Sequence, residues 1–391
     1  MKNLFLKKYG ETKALNGYQW IFSNEIKNIE GNIENGNIVN VYTYNNLFLG
    51  QGFYNKNSLI SLRMISKTDE VIDSDFFKRK ILKAYEFRKK LFPNSDIYRL
   101  AFSESDFLPG LIIDRYEDTF SIQTNSIGMD KRLNMFVDIL TDLFAPKSII
   151  EKNESTLRLL EGLEQKTNVL YGKYEPKELT IDDIKYNINL LTGQKSGFFL
   201  DQRINRKSIR QYVKNHNVLD CFCNEGGFAL NAAQTGAKHV LGLDISKNAI
   251  DQCLSNTKIN NFSQCCEFET CDVFDKLEQL TKDKVFFDTV IIDPPSFTKS
   301  KKNIPVATKA YKKINSLGLQ LIETEGYLIT SSCSHHISDN DFLNIINNAA
   351  IKSKANLQLI ESHSAAPDHP ILINMPETKY LKFLIFHVTK F

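Results

Sequence analysis

The sequence predicts three successive parts: a small β-rich, barrel-like module, a central α+β segment, and a C-terminal α/β sheet of the Rossmann-like kind. Three observations predict this. The chain has 391 residues, too many for one ordinary core. Short strand-like runs broken by turn residues crowd its first part. From about residue 176 onward, short apolar runs alternate with helical segments, as in a mostly parallel sheet covered on both faces. The expected divisions are 1–70, 71–175 and 176–391.

Composition narrows the class. Charged residues make up 24% and hydrophobic residues 42%, as in ordinary globular proteins. A net charge of +3 permits an acidic partner without demanding one, so any nucleic-acid surface has to be a local patch. The seven cysteines follow no regular framework, which points to a reducing compartment. No apolar run approaches the ~18 residues of a membrane span. The start, MKNLFLKKYGE, lacks the apolar stretch of a signal peptide. A soluble, cytoplasmic protein with no membrane partner is expected.

In the first part, NIVNVYTY, NLFLGQGFY and SLISLRMI read as strands separated by ENG, YNN and NKN turns. LNGYQWIFSNEI ahead of them is expected to form a helical turn packed by Trp20 and Phe22. In the second part, 74–92 carries Phe77, Ile81, Leu82, Tyr85 and Leu91 at helical spacing, with its lysines and arginines on a solvated face. IYRLAF reads as a strand and FLPGLIIDRYEDTFSIQTN as a hairpin, followed by a helix over 130–144. In the third part, VLDCF, HVLGLDI, CEFETC, DTVIIDPP and GYLITSS are strands. Helices are expected over 201–215, 227–236, 246–260, 307–324 and 339–352. In such sheets the ligand lies beyond the carboxyl ends of the strands.

The chemistry-bearing residues cluster at those ends. VLDCFCNEGGFAL places Asp220 near a strand end, then Gly226 and Gly227, then a helix start with free amides. The spacing is not that of a dinucleotide fingerprint. Asp244 ends the next strand, where an acid can accept from both ribose hydroxyls, and Asp272 ends the third, where an adenine edge would lie. One such acid is weak evidence, but three in order plus the glycine pair point to S-adenosylmethionine. IIDPPSF (291–297) closes the fourth strand. Its rigid turn can set Asp293 on the polar edge of a flat base and stack Phe297 against it.

With these motifs in place, the chain resembles, nearly end to end, the bacterial large-subunit rRNA methyltransferase I-like proteins. Those are S-adenosylmethionine-dependent cytosine-C5 methyltransferases of 23S rRNA. GYQWIFSNEI and FLGQGFYNKNSLISLRMI resemble the family's PUA domain, a small RNA-binding barrel. SESDFLPGLIIDRY (103–116) resembles its central signature, and GQKSGFFLDQRINR (193–206) the entry to the catalytic domain. FCNEGGFAL, DPPSF, SSCSHH, PDHP and YLKF complete the match. The resemblance implies that 193–206 closes over the cofactor through Phe198, Phe199, Asp201 and Arg203, with Arg203 meeting the methionine carboxylate. It places Asp368 and His369 of PDHP at the substrate pocket. It implies 23S rRNA as partner and admits a homodimer.

Cys333, in TSSCSHH (330–336), can be a core thiol, a metal ligand or a nucleophile. The cysteines lack the spacing of a structural zinc site, so no metal is expected. Cys333 follows the fifth strand directly and should share a rim with Asp293, while Ser331, Ser332 and Ser334 leave room for a substrate. Cytosine C5 is too weak a nucleophile to attack a methyl sulfonium unaided. A thiolate adding at C6 makes it one, which is covalent catalysis. Asp293 would then protonate N3 during attack. One thiol must both add and leave, because Ser296 stands where another type of cytosine-C5 enzyme has a second cysteine. Some relatives methylate a guanine nitrogen, and an inactive RNA-binding assembly factor is the remaining alternative. Basic stretches with aromatics, including 297–313, offer phosphate contacts.

Overall fold

The structure is a computed structural model that describes residues 2–193, 197–298 and 300–391. The chain forms two compact units. The first comprises Met1–Lys177, Ile188–Leu200 and Pro367–Thr378, and the second Glu178–Asn187, Asp201–Ala366 and Lys379–Phe391. Both units are therefore built from discontinuous stretches of chain.

The first unit holds two sheets. One has six strands in the order Trp20–Ile21, Leu62–Ser66, Phe48–Tyr54, Ile38–Tyr42, Asn3–Leu6 and Ile26–Glu30. Alternation along the strands turns Leu4, Leu6, Val39, Val41, Leu62 and Met64 inward. Of the helical turn expected in LNGYQWIFSNEI, Ser23–Glu25 forms one short turn after Phe22, while Trp20 itself lies in a strand. A short helix, Thr12–Leu15, comes earlier, and Trp20–Ile21 pairs with the strand Leu62–Ser66. Cross-strand pairing outweighed local helix preference there.

The other sheet has five strands in the order Lys166–Gly172, Ser148–Asn153, Thr119–Thr124, Leu111–Tyr116 and Ile97–Phe102. Leu111–Tyr116 and Thr119–Thr124 form the expected hairpin, turning at Glu117 in left-handed conformation (φ 58°). The helix Ser74–Leu91 starts where the Asp73 side chain accepts the Phe76 amide at 3.0 Å. It buries Phe76, Phe77, Ile81 and Ala84, but also Arg88, so its charged residues do not all lie on a solvated face. The helix expected over 130–144 runs from Leu133 to Phe144, preceded by a separate short turn, Ile127–Asp130.

A hairpin, Lys177–Ile181 with Ile184–Ile188, whose residues 178–187 belong to the second unit, turns through Asp182 and Asp183, both at positive φ. The main sheet has seven strands: β1 (Asn217–Cys221), β2 (His239–Asp244), β3 (Cys266–Thr270), β4 (Phe287–Ile292), β5 (Ile322–Ser332), β6 (Ala355–His363) and β7 (Lys382–Lys390). Their spatial order is β3-β2-β1-β4-β5-β7-β6. β1 to β5 are parallel, and β7 runs antiparallel between β5 and β6. Strand order reverses between β1 and β4, which is where an α/β sheet opens a crevice for a ligand.

Five longer helices cover this sheet: α1 (Gly227–Gln234), α2 (Lys247–Ile259), α3 (Val273–Lys282), α4 (Ile304–Gln320) and α5 (Asp339–Lys352). The stretch 201–215 is three short turns of helix in place of one continuous helix. α4 ends four residues before the expected 324, because Ile322 already belongs to β5. α3, β6 and β7 had no counterpart among the expected elements. β6 lies at the sheet edge and exposes Leu359 and Ile360 beside polar residues, so its alternation is weak.

Candidate active site

The second unit gathers acids at the carboxyl ends of β1, β2 and β3, in three different settings. Asp220, in β1, is fully buried. Its Oδ2 accepts the Ala229 amide of α1 at 2.9 Å, while Oδ1 is buried without a hydrogen-bond partner among the described residues. Burial pushes its carboxyl up to about 8, helped by the charges of Asp293 and Asp244 and opposed by the Ala229 amide. Asp244, at the end of β2, is half-buried and accepts the amides of Asn224 (3.0 Å) and Ser246 (2.9 Å). Asp272, after β3, is exposed and caps α3 through the amides of Phe274 and Asp275.

The loop between β1 and α1 is wound through left-handed conformations at Phe222, Asn224 and Gly226. A Cβ on Gly227 would stand 2.4 Å from Arg206 Nε, so glycine lets that guanidinium lie against the start of α1. Glu225 carries a buried Oε2 with no hydrogen-bond partner among the described residues. Burial pushes its carboxyl up to about 7, against the pull of Arg206. An orphaned acid beneath the glycine turn, a ribose-type acid on β2, and a cation and an anion beside the start of α1 fit an adenosine with a zwitterionic tail. Neither Arg206 nor Glu225 was expected from the sequence. The signal available was the charge flanking the glycine pair and a second arginine one helical turn after Arg203.

At the ends of β4 and β5 lies a second cluster. Asp293, half-buried after β4, accepts from Gln202 Nε2 at 3.0 Å on each carboxylate oxygen, and from the Ser331 hydroxyl. Cys333 follows β5 directly, is half-buried, and has its Sγ 4.0 Å from the Pro294 carbonyl. The thiol therefore stands beside the Asp-Pro-Pro turn. Lys382, paired with Ser332 across β5 and β7, is buried and donates to the carbonyls of Ser334 (2.5 Å) and Ile337 (2.7 Å). Burial pushes this ammonium down to about 8, while Asp339 and Cys333 pull it up. Gln202 and Lys382 were not anticipated, although both lie in motifs that the resemblance picked out, LDQR and YLKF.

Several expected residues have other tasks. The Arg203 guanidinium is held at both ends by Asp182, at 2.8 Å to each oxygen. Asp201 is buried, with Oδ2 accepting from Tyr380 at 2.6 Å and its carbonyl taking the Ala366 amide. Ser332 is fully buried and donates to the Tyr311 hydroxyl at 3.0 Å, facing the core. Successive residues of a strand face opposite ways, so Ser331 reaches Asp293 instead. Phe297 packs on Tyr311 and Phe274, with centroids at 4.7 and 6.0 Å. His369 belongs to the first unit and is 2% exposed, its Nδ1 2.9 Å from Asp368. Ser332 and His369 thus present no surface to a substrate in this structure. The His335 ring packs against Tyr380. Gln194, Lys195 and Ser196 of the cofactor-closing stretch, and Lys299 of the basic stretch 297–313, lie outside the described residues. Among the described residues no group of three His, Cys, Asp or Glu could hold a metal ion, and no helix is long and apolar enough to cross a membrane.

The strand order and the ordered acids define an S-adenosylmethionine-dependent methyltransferase with a Rossmann-like catalytic sheet. Family comparison agrees: residues 167–387 match the S-adenosylmethionine-dependent methyltransferase family, and residues 4–67 match a PUA-like domain. The chain is 38% identical over 387 residues to the ribosomal RNA large subunit methyltransferase I of Aliivibrio fischeri, covering 97% of this chain and 98% of that one. It is 36% identical to the enzyme of that name from Aeromonas hydrophila, covering 98% of both. The chain belongs to the ribosomal RNA large subunit methyltransferase I family. A methyltransferase from Streptococcus mutans shares the fold, with a TM-score of 0.84 at 23% identity over 99% of this chain and 100% of that one.

Proposed function

We propose that this protein methylates carbon 5 of a cytosine in 23S rRNA through a covalent adduct on Cys333. The observation that carries this reading is the half-buried thiol at the end of β5, against the Pro294 carbonyl of the turn that bears Asp293. Nitrogen methylation needs no thiol, because nitrogen has its own lone pair. Carbon 5 does need one. The full-length match to relatives named for large-subunit rRNA supports the substrate class.

In this reading the Cys333 thiolate adds to C6 and pushes electron density onto C5. When bound, S-adenosylmethionine supplies an electrophilic methyl group on a sulfonium. Loss of the C5 proton to water, then elimination, returns the thiol and the methylated base. Asp293 engages the N3/N4 edge of the cytosine. Asp244 takes the ribose hydroxyls, Asp272 lies at the adenine edge, and Asp220 with Gly226 and Gly227 lines the crevice. Arg206 and Glu225 hold the charged tail, taking the place assigned to Arg203 from the sequence. A base paired in a helix has to be flipped out to reach such a pocket.

The division into 1–70, 71–175 and 176–391 is kept as a proposal about labour: the first part holds RNA, the second supports it, the third does the chemistry. A cytoplasmic homodimer completes the reading. Mass mapping of 23S rRNA from cells with and without the gene tests it. A single 5-methylcytosine that disappears with the gene, and is not restored by Cys333→Ala, is the expected outcome. A lost methyl on guanine, or no change, removes the cytosine mechanism.

A further inference from the structure

A chain of side-chain hydrogen bonds in the second unit ends on Asp293. It begins at Asn205, which is fully buried. Asn205 Nδ2 donates to the Ser364 carbonyl at 3.1 Å and to Gln202 Oε1 at 2.6 Å. A backbone carbonyl can only accept, so the Asn205 amide has one permitted polarity at that end. Gln202 must then turn its oxygen to Asn205 and its nitrogen to Asp293, where it stands 3.0 Å from both oxygens. Gln202 is itself 3% exposed, so water competes little for these contacts.

The polarity has a chemical consequence. A protonated Asp293 turned toward Gln202 would need an acceptor there. The acceptor atom of Gln202 is committed to Asn205. Donors aimed at a carboxylate favour its charged form, and the Ser331 hydroxyl adds another on Oδ1.

We propose that Gln202 is a positioning residue for methyl transfer, fixing Asp293 in one orientation and as a carboxylate. This rests on the cytosine reading above and changes one part of it. The proton at N3 is then taken up from solvent as the base binds, in place of delivery from a neutral Asp293. The N3–H and N4–H of the protonated base pair with the carboxylate. Thiolate addition at C6 yields a neutral adduct; its C5 bonds the methyl carbon of the sulfonium donor as the S–CH3 bond breaks, so the donor would leave as a neutral thioether and the adduct carries the positive charge. Loss of the C5 proton to water and expulsion of the thiolate leave an N3-protonated 5-methylcytosine, which releases its proton on departure.

The test is a carboxyl-carbon NMR titration of the full-length protein labelled at aspartate, with the Asp293 signal assigned by its absence in Asp293→Asn. Gln202→Glu sets a like charge beside Asp293, and Gln202→Met removes the donor. Each is expected to move the Asp293 midpoint up by at least about half a pH unit relative to the native chain. The acid limb of single-turnover methylation should move with it, while cofactor affinity stays within about twofold. A midpoint that is the same in the native chain and in the isosteric Gln202→Glu, shown folded by its circular dichroism, overturns the proposal. The titration needs no activity. If the native chain methylates no cytosine, the functional reading falls and the Gln202 result still decides this one.

Discussion

Both units hold a buried arginine on a carboxylate, Arg203 on Asp182 in the second, but they differ in how they treat certain acids. In the first, buried arginines are held by carboxylates. Arg99 meets both oxygens of Asp114 at 2.7 and 2.8 Å, and Arg88 meets both oxygens of Asp106 and the Asp368 carbonyl. Asp368 accepts the Arg99 amide and His369. Burial alone would raise its carboxyl, but His369 and Arg99 hold it below its usual range. In the second unit, two acids are left open on one side. Asp220 and Glu225 keep orphaned oxygens, and burial pushes both carboxyls up. Charges answered within the protein are scaffold, and charges left unanswered wait for a ligand. The same letter, Asp, carries both roles.

The contrast can be broken by substitution, beginning with the largest effect. Cys333→Ala is expected to lower methyl transfer by at least about 10³-fold with cofactor affinity unchanged by calorimetry, because the thiol acts only on the base. Retained activity would mean that the thiol is another buried core group.

The scaffold charges should cost stability in place of activity. Asp114→Asn leaves Arg99 buried without its counter-ion and is expected to cost about 3–5 kcal/mol in urea unfolding. Asp220→Asn should do the reverse in cofactor-free protein. Burial pushes the folded carboxyl up to about 8 from the ordinary value of 3.8 that it has when unfolded. Between these values the folded state holds the proton and the unfolded state has released it. Stability therefore falls as pH rises through that window, by about 1.4 kcal/mol per pH unit for one proton. Asp220→Asn should flatten that slope by about this amount and stabilise the protein at pH 8, while weakening cofactor binding. An unchanged slope would mean that the orphaned acid is not one.

Lys382→Met tests the loop that carries the thiol. The ammonium favours a nearby thiolate, so the pH midpoint for alkylation of Cys333, followed by peptide mass spectrometry, should rise by up to about one unit. Lys382→Arg should keep it near the native value. The smallest effect belongs to Asp272. Asp272→Ala removes a helix cap and should cost about 1 kcal/mol, whereas Asp272→Ser keeps the cap and should lose only cofactor affinity. Equal stability loss in both would remove the distinction between cap and site.

Much of the site was legible because strand ends are legible. An apolar run followed by Asp, Gly or Cys tells where a parallel sheet presents side chains, and Asp220, Asp244, Asp293 and Cys333 were found in that way. What misled was neighbourhood. Ser332 lies one residue from Cys333, yet the pleat sends it to Tyr311 and gives Asp293 its neighbour Ser331. His369 sits in a motif that matches the family, yet it is sealed beside Asp368 in the first unit.

The sequence by itself determined the five parallel strands of the catalytic part, four of the helices around them, the acids at the strand ends and the thiol after the fifth strand. Those depend on periodicity and turn chemistry, which are local. Only the tertiary structure decided which groups answer one another. Gln202 meets Asp293 across 91 positions, Tyr380 meets Asp201 across 179, and Lys382 fastens the Cys333 loop from 48 positions away. Such contacts are chosen by packing and by the need to pair each buried polar atom, and no local pattern records them.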